Sequence, residues 1–409
     1  MSDIRVTSVK ALLAHPGTQY SFRLARQLER LGCLSRFWTG IAYLPNSPVG
    51  RCIKLLPASL QRKLANRELD GVAKDRLRTR PLTELRALNR LRTGQEQQRV
   101  MLERNATFQR HIPDRELDTS TVVIGFDTSS WLLAERSVGL GRTFILDRSI
   151  AHPTSFWRLL PDLRRRFPEW AEDLPKRLPE LLRAEDIEHC HATWIVVPSS
   201  FARKTLIENG VARDKIVVIP FGVDLNAFHP TPRPVMSRPL RFVFVGSLCA
   251  RKGLPLLVEA WRSLSPQTAE LWLVGPVSDR VARLIPAIRG LRIIGKVSGS
   301  EVPDYLRQCD VLVFPSYFEG LAQVQLEAMA SGLPIISTEA SGASDLIVNG
   351  EEGFLIPSGD TEALRDAMEQ FISSSADLEM MSTAARSTAE RFSWDHYGNR
   401  WMDLLGQTV

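Results

Sequence analysis

Short apolar runs recur along this chain, each followed by a longer amphipathic stretch, and that alternation leaves few folds open. Val9 to His15 reads as a strand. Tyr20 to Leu31 follows with Phe22, Leu24, Leu28 and Leu31 at helical spacing. Leu34 to Tyr43, Val122 to Phe126, Thr143 to Leu146 and Trp194 to Val197 repeat the strand pattern. A strand that hands over to a helix before the next strand must cross back over the sheet, so the strands run parallel. The segment from Phe228 to Leu240 carries four prolines and no apolar period, which marks a linker. Beyond it the alternation restarts, with strands at Arg241 to Val245, Glu270 to Val274, Leu291 to Ile294, Val311 to Phe314 and Pro334 to Ser337. Helices are expected at Pro255 to Ser263, Glu301 to Cys309 and Val324 to Ser331. A length of 409 residues suits two domains. The reading is an α/β chain of two doubly wound domains, 1–227 and 241–389, joined by the linker 228–240. Such sheets bind ligands at the carboxyl ends of their strands, so the site belongs in the cleft between the domains.

Charge narrows the partners. The formal net charge is +6, which favours nucleotides, nucleic acid or an anionic membrane. Residues 51–112 concentrate it, with 15 Lys/Arg against 6 Asp/Glu. That stretch reads either as solvated helix faces laced with ion pairs or as a surface for anionic lipid or glycan. Phe156 to Leu182 mixes Arg158, Arg164, Arg165, Arg166 and Lys176 with Trp157, Phe167 and Trp170, as an interfacial helix would. Pro161, Pro168, Pro175 and Pro179 are expected to break it into short pieces. No nucleic-acid module is recognisable, so nucleic acid is not an expected partner. The five cysteines (Cys33, Cys52, Cys190, Cys249 and Cys309) lack metal or disulfide spacing and read as buried packing residues in a reducing compartment. Met1 to Val6 lacks a signal-peptide core and no 18 apolar residues run together, so a cytoplasmic protein is expected.

Three motifs carry chemistry. In Val245-Gly-Ser-Leu-Cys-Ala-Arg-Lys-Gly253 a strand ends at a glycine turn, and Arg251 and Lys252 precede the next helix. Backbone N–H groups, a helix N-terminus and two cations suit a pyrophosphate; a surface turn with solvated cations is the bland alternative. In the second motif, Pro315 to Pro334, Glu319 sits in a loop and Glu327 on the following helix. Carboxylates accept paired hydrogen bonds, so Glu319 can hold sugar hydroxyls and Glu327 a ribose diol, with the amides near Gly320 and Leu321 directed at phosphate between them. An acid at a helix N-terminus explains Glu319 equally on spacing alone. The third, Val217 to Phe228, ends a strand at Pro220 and Gly222 beside the linker and reads as a hinge or a plain turn.

Residues 190–360 resemble the retaining GT-B glycosyltransferases of the large family 4 type (glycosyl transferases group 1). The match is ordered: Val197-Pro-Ser199, Ile219-Pro-Phe-Gly-Val-Asp224, Gly246 with Lys252-Gly253, Glu319 to Glu327, Gly332-Leu-Pro334, Gly342 to Asp345, Asn349-Gly to Gly353, and Pro357 to Asp360. The resemblance implies the GT-B fold, two Rossmann-like domains facing a central cleft, with a last helix at 390–409 crossing back to the first domain. It implies that Lys252 and Arg251 neutralise a donor diphosphate, Glu319 holds the donor sugar and Glu327 the ribose. Gly246, Ser247, Gly320, Leu321 and Ala322 would line the donor, and Lys296 and Val297 would frame its base. Gly17 would face the acceptor, and His152 would stand by the reacting sugar. Ser247 replaces the family's usual arginine, with Arg251 in compensation; Ala322 replaces a glycine and Asp345 a glutamate.

The chain contains no Asp-x-Asp motif, so metal-independent transfer is expected, with no cofactor beyond a UDP- or GDP-linked sugar as substrate. The expected acceptor is a glycan or glycolipid in surface polysaccharide or lipopolysaccharide synthesis, met at the inner face of the membrane. The alternatives are a nucleotide-sugar epimerase on the same fold and a non-catalytic nucleotide-sugar-binding subunit.

Overall fold

A computed structural model describes residues 9–18, 20–57, 61, 64, 67–174, 178–231, 239–265 and 267–408. Two parallel sheets form. The first contains β1 (Ala11–His15), β2 (Leu34–Thr39), β3 (Leu77–Thr79), β4 (Val122–Phe126), β5 (Thr143–Asp147), β6 (Trp194–Val197) and β7 (Ile216–Val218) in the order 3-2-1-4-5-6-7. The second contains β8 (Leu240–Val245), β9 (Ala269–Val274), β10 (Leu291–Gly295), β11 (Val311–Phe314), β12 (Ile335–Thr338) and β13 (Gly353–Ile356) in the order 10-9-8-11-12-13. In each sheet the chain starts centrally, winds outward, then returns to wind the other way. The reversal opens a crevice between β1 and β4 and between β8 and β11.

The central strands β1, β4, β11 and β12 are buried along their whole length, because helices cover both faces. Three details depart from the sequence expectation. The edge strand β3 lies inside the arginine-rich stretch and has only three half-buried residues, too few for a period. Pro161 sits inside one continuous helix, Pro153–Arg166, whose buried Phe156, Leu160 and Leu163 outweigh the one lost hydrogen bond. Phe167, Trp170 and Leu174 are buried as well, so the aromatic residues of this segment fill the core instead of facing a membrane. Pro175 and Lys176 lie outside the described residues, as do linker residues 232–238. Of the cysteines, Cys33 and Cys309 are buried, whereas Cys52 and Cys190 are exposed.

Many cations of the basic stretch are spent locally. Arg67 and Arg104 share the buried Glu84, Arg76 pairs with Glu29, Arg78 with Glu116 and Arg90 with Glu103. Among the described residues no helix is long and apolar enough to cross a membrane.

The last helix, Trp394–Gly406, leaves the second domain and packs on the first domain's helix Ser21–Arg30. It buries Tyr397, Trp401, Leu404 and Leu405 there. The Val223 amide donates to Phe392 O at 2.7 Å, and Arg400 donates to Val218 O at 2.9 Å. The domains also touch across the cleft. Ile150 pairs with Gly320, Ser199 Oγ donates to Gly320 O at 2.5 Å, and the Phe156 and Phe318 rings lie 5.1 Å apart.

Candidate active site in the cleft

The second domain builds its site on the loops after β8 and β11. Ala250–Lys252 make a single 3-10 turn, and Gly253 then takes φ 75° before the helix Leu254–Leu264. A Cβ at Gly253 would stand 2.0 Å from Pro315 O, so only glycine lets this turn close on the loop after β11. That closure brings three charges together. Arg251 Nη1 lies 2.8 Å and Lys252 Nζ 2.9 Å from the same Glu319 carboxylate oxygen. Ser316 Oγ donates to that oxygen at 3.0 Å, and Arg251 also donates to Phe318 O at 2.5 Å. Lys252 Nζ sits 5.0 Å from the centre of the Phe314 ring. Burial pushes the Glu319 pKa up, but Lys252 and Arg251, with hydrogen bonds from Lys252 and Ser316, bring it below the ordinary carboxylate value. The carboxylate is ionised and holds two cations at the carboxyl end of the sheet.

Glu319 is fixed through its backbone too. Its amide donates to Ala340 O at 2.8 Å, and the Ala322 amide donates to Ser341 O at 3.1 Å at the start of the helix Gln323–Ala330. Leu321 and Ala322 are buried by this pairing. Gly320 meets the first domain so closely that a Cβ there would stand 2.1 Å from Ser149 O.

Leu326, Ala328 and Met329 turn into the core, whereas Glu327 lines a cleft of about 570 Å³ between the domains. Arg23, Tyr20 and Ser149 of the first domain, Asp224 of the hinge and Trp394 of the last helix face it there. Burial raises the Glu327 pKa to about 7, opposed by Arg23. Gln323, one turn before Glu327, donates to Gly222 O of the hinge at 2.7 Å. Gly246 and Ser247 follow β8 directly, with the Gly246 amide donating to Val274 O at 2.9 Å and Ser247 exposed. Lys296 is exposed and Val297 half-buried just past β10.

The first domain contributes differently. The Gly17 amide donates to His15 Nδ1 at 3.1 Å, so the turn after β1 folds back on its own strand. His152 follows Ala151, whose amide donates to Glu319 O at 3.4 Å. Its Nδ1 accepts from the Thr154 amide at 3.2 Å and caps the helix Pro153–Arg166, and its ring stacks toward His189 at 5.3 Å. The cavity that His152 lines is walled by Arg158, Asp186, Glu208 and Lys215, all of the first domain. His152 thus caps a helix through Nδ1, and the neighbouring Ile150 and Ala151 backbone reaches the donor loop.

Several cleft residues carried no usable sequence signal. Asp147, at the end of β5, is buried and accepts from Tyr20 Oη at 3.1 Å, with Tyr397 Oη at 3.5 Å. Asp127 accepts from the Ser149 amide at 3.0 Å and from its hydroxyl. Their one readable mark was position, immediately at or after a strand end.

Two Rossmann-like domains facing a cleft, joined by a hinge and crossed by the terminal helix, define the GT-B class. Residues 239–374 match the family described as glycosyl transferases group 1. The chain is 32% identical to the amylovoran biosynthesis glycosyltransferase AmsK of Erwinia amylovora over 199 residues, which is 45% of this chain and 49% of AmsK. It thus spans about half the length of the curated relatives it matches. Among solved structures, HepE of Anabaena in complex with UDP and glucose aligns with a TM-score of 0.66 at 16% identity, over 98% of this chain and 100% of HepE. Sucrose-phosphate synthase of Thermosynechococcus elongatus aligns with a TM-score of 0.64 at 17% identity, over 98% of each chain. At these identities the structures establish the shared fold.

Proposed function

We propose that this chain is a retaining, metal-independent glycosyltransferase that moves a hexose from a UDP- or GDP-linked donor to a glycan or glycolipid acceptor in surface polysaccharide synthesis. The observation that carries the reading is the Arg251–Lys252–Glu319 cluster at the mouth of the second sheet. One carboxylate between two cations leaves a net positive charge in a partly dry site, which is what a departing nucleoside diphosphate requires. Lys252 and Arg251 take up the charge that grows on the diphosphate as the anomeric C–O bond breaks. Glu319 keeps both cations aimed and accepts from donor hydroxyls, and Glu327 accepts from the ribose diol. In this reading the acceptor attacks from the first domain's side, on the face from which the diphosphate leaves. The complex of HepE with UDP and glucose on the same fold, and the role of AmsK in amylovoran biosynthesis, support the donor and acceptor classes.

The membrane contact belongs to the same reading. The helix Pro81–Arg92 leaves Leu82 and Leu85 exposed at 68% and 53%, beside exposed Arg86 and Arg92. The helix Pro48–Lys54 likewise leaves Val49 exposed, with Leu55 just past its end and Arg51 and Lys54 beside them. Leucines flanked by arginines suit the interface of an anionic bilayer carrying the acceptor.

The test is release of free nucleotide from a panel of UDP- and GDP-sugars. Wild type should turn over one of them, and Lys252→Ala should be slower by about 10²–10³-fold, the size found for one lost electrostatic donor. Equal turnover by the variant would refute the assignment. Product that forms without an acceptor and keeps its nucleotide would indicate an epimerase instead.

A further inference from the structure

Among the described residues of the first domain, Arg23 is the cation that lines the cleft beside Glu327. Arg23 lies in the first turn of the helix Ser21–Arg30. Its guanidinium stands 5.4 Å over the Trp394 ring of the last helix and 3.7 Å from the Asp224 carboxylate of the hinge. It shares the 570 Å³ cleft with Glu327. Arg23 thus touches each of the segments that join the domains, and it faces the acid expected to hold the donor ribose. We propose that Arg23 is a positioning residue for donor capture: braced by Trp394 and Asp224, its guanidinium is the counter-ion across the cleft that Glu327 needs in order to bind a ribose diol.

The inference rests on the donor-binding reading given above and deepens it. Glu327 is a poor diol acceptor when protonated, because a neutral carboxyl offers one good acceptor oxygen and not two. Burial pushes this carboxyl up to about 7, and Arg23 is the charge that pulls it back. The other groups around the cleft do not replace it. Asp224 is itself an acid, Tyr20 and Ser149 are neutral, and Trp394 and Gln323 carry no charge. On the last helix the nearest acid after Trp394, Asp395, is engaged with Arg30 and Gln27. Glu319, with two cations in contact, needs no help from the first domain. The two acids of the second motif are therefore charged by different means: Glu319 from within its own domain, Glu327 from across the cleft. Binding at Glu327 is thereby linked to the approach of the domains.

The experiment is calorimetric titration of UDP and GDP into the full chain from pH 6 to pH 9, for wild type, Arg23→Gln, Arg23→Lys and Lys252→Ala. Wild-type affinity for the preferred nucleotide should fall as pH drops through about 7, because protonated Glu327 loses the ribose. In Arg23→Gln the same fall should move to higher pH. If the pKa rises by one unit, affinity at pH 7 drops about fivefold and recovers by pH 9. Arg23→Lys should restore most of it at pH 7. A uniform loss in Arg23→Gln at every pH, or no loss, would overturn the proposal while leaving the donor site standing. Failure of wild type to bind either nucleotide would overturn both this proposal and the donor reading. Loss of binding in Lys252→Ala alone would leave the donor reading intact and overturn the role of Arg23.

Discussion

The two domains share one topology and present the same edge to the cleft, yet they furnish it in opposite ways. The second domain places ionised groups there: Glu319 is held below its usual pKa by Lys252 and Arg251. In the first domain, burial drives several groups at the strand ends and on the helices behind them toward their neutral forms. His15 and His152 are each lowered to about 4, His189 to about 2, and Asp147 is raised well above the carboxylate range. Behind them Glu185 is raised to about 7 despite the fully buried Arg148 beside it. The difference teaches what each side is for. A diphosphate needs fixed positive charge. A loop that must meet a partner loop at van der Waals distance needs hydrogen bonds without uncompensated charge.

The largest effect should fall on the charged side. Glu319→Gln removes the carboxylate that both cations share, and turnover of the preferred donor should drop by about 10²–10³-fold. Steady-state nucleotide release measures it, and wild-type rates would break the contrast.

On the neutral side the effect should appear in stability and depend on pH. His15 is 5% exposed and its folded pKa lies below the ordinary value of 6.5. An unfolded chain takes up a proton below 6.5 that the fold refuses until about 4, so the neutral ring favours folding above 6.5 and that advantage disappears as pH falls toward 4. The loss is at most about 3 kcal/mol. Urea melts at pH 7.5 and pH 4.5 should show a stability gap between wild type and His15→Gln that shrinks at the lower pH. A constant gap would mean that His15 titrates in the fold as it does in the unfolded chain.

The seam between the sides can be tested by Gly320→Ala. The added Cβ would collide with Ser149 O and should push the domains apart at a cost of about 1–3 kcal/mol. Small-angle scattering should report a larger radius of gyration. An unchanged radius with wild-type turnover would show that the seam is not closed in solution. The smallest effect concerns the outer surface. Leu82→Asp with Leu85→Asp should weaken flotation with anionic vesicles severalfold and leave nucleotide binding unchanged; equal flotation would remove this face from the account.

The same contrast explains what could be read from sequence. Glu319, Lys252 and the glycines around them form a continuous pattern, because the loops after β8 and β11 each carry their own chemistry in a short stretch. Strands β4, β6 and β11 were legible to the residue, being short apolar runs with clear ends. β3 was hidden because an edge strand of Leu77, Arg78 and Thr79 buries too little to show a period. Pro161 misled because a helix with a strong buried face tolerates one missing donor. Arg23 and Asp147 were invisible as site residues: one reads as a solvated helix cation and the other as a loop acid until the hinge and the last helix are folded over them. The cap that His152 Nδ1 makes on the following helix was not legible either.

The central claim is that the second domain's charged cluster binds a nucleoside diphosphate. Calorimetric titration of UDP, GDP and ADP at pH 8 into wild type and Lys252→Ala tests it most directly. The account predicts that one nucleotide binds the wild type and that its affinity collapses in the variant. A nucleotide bound equally well by both proteins would contradict it.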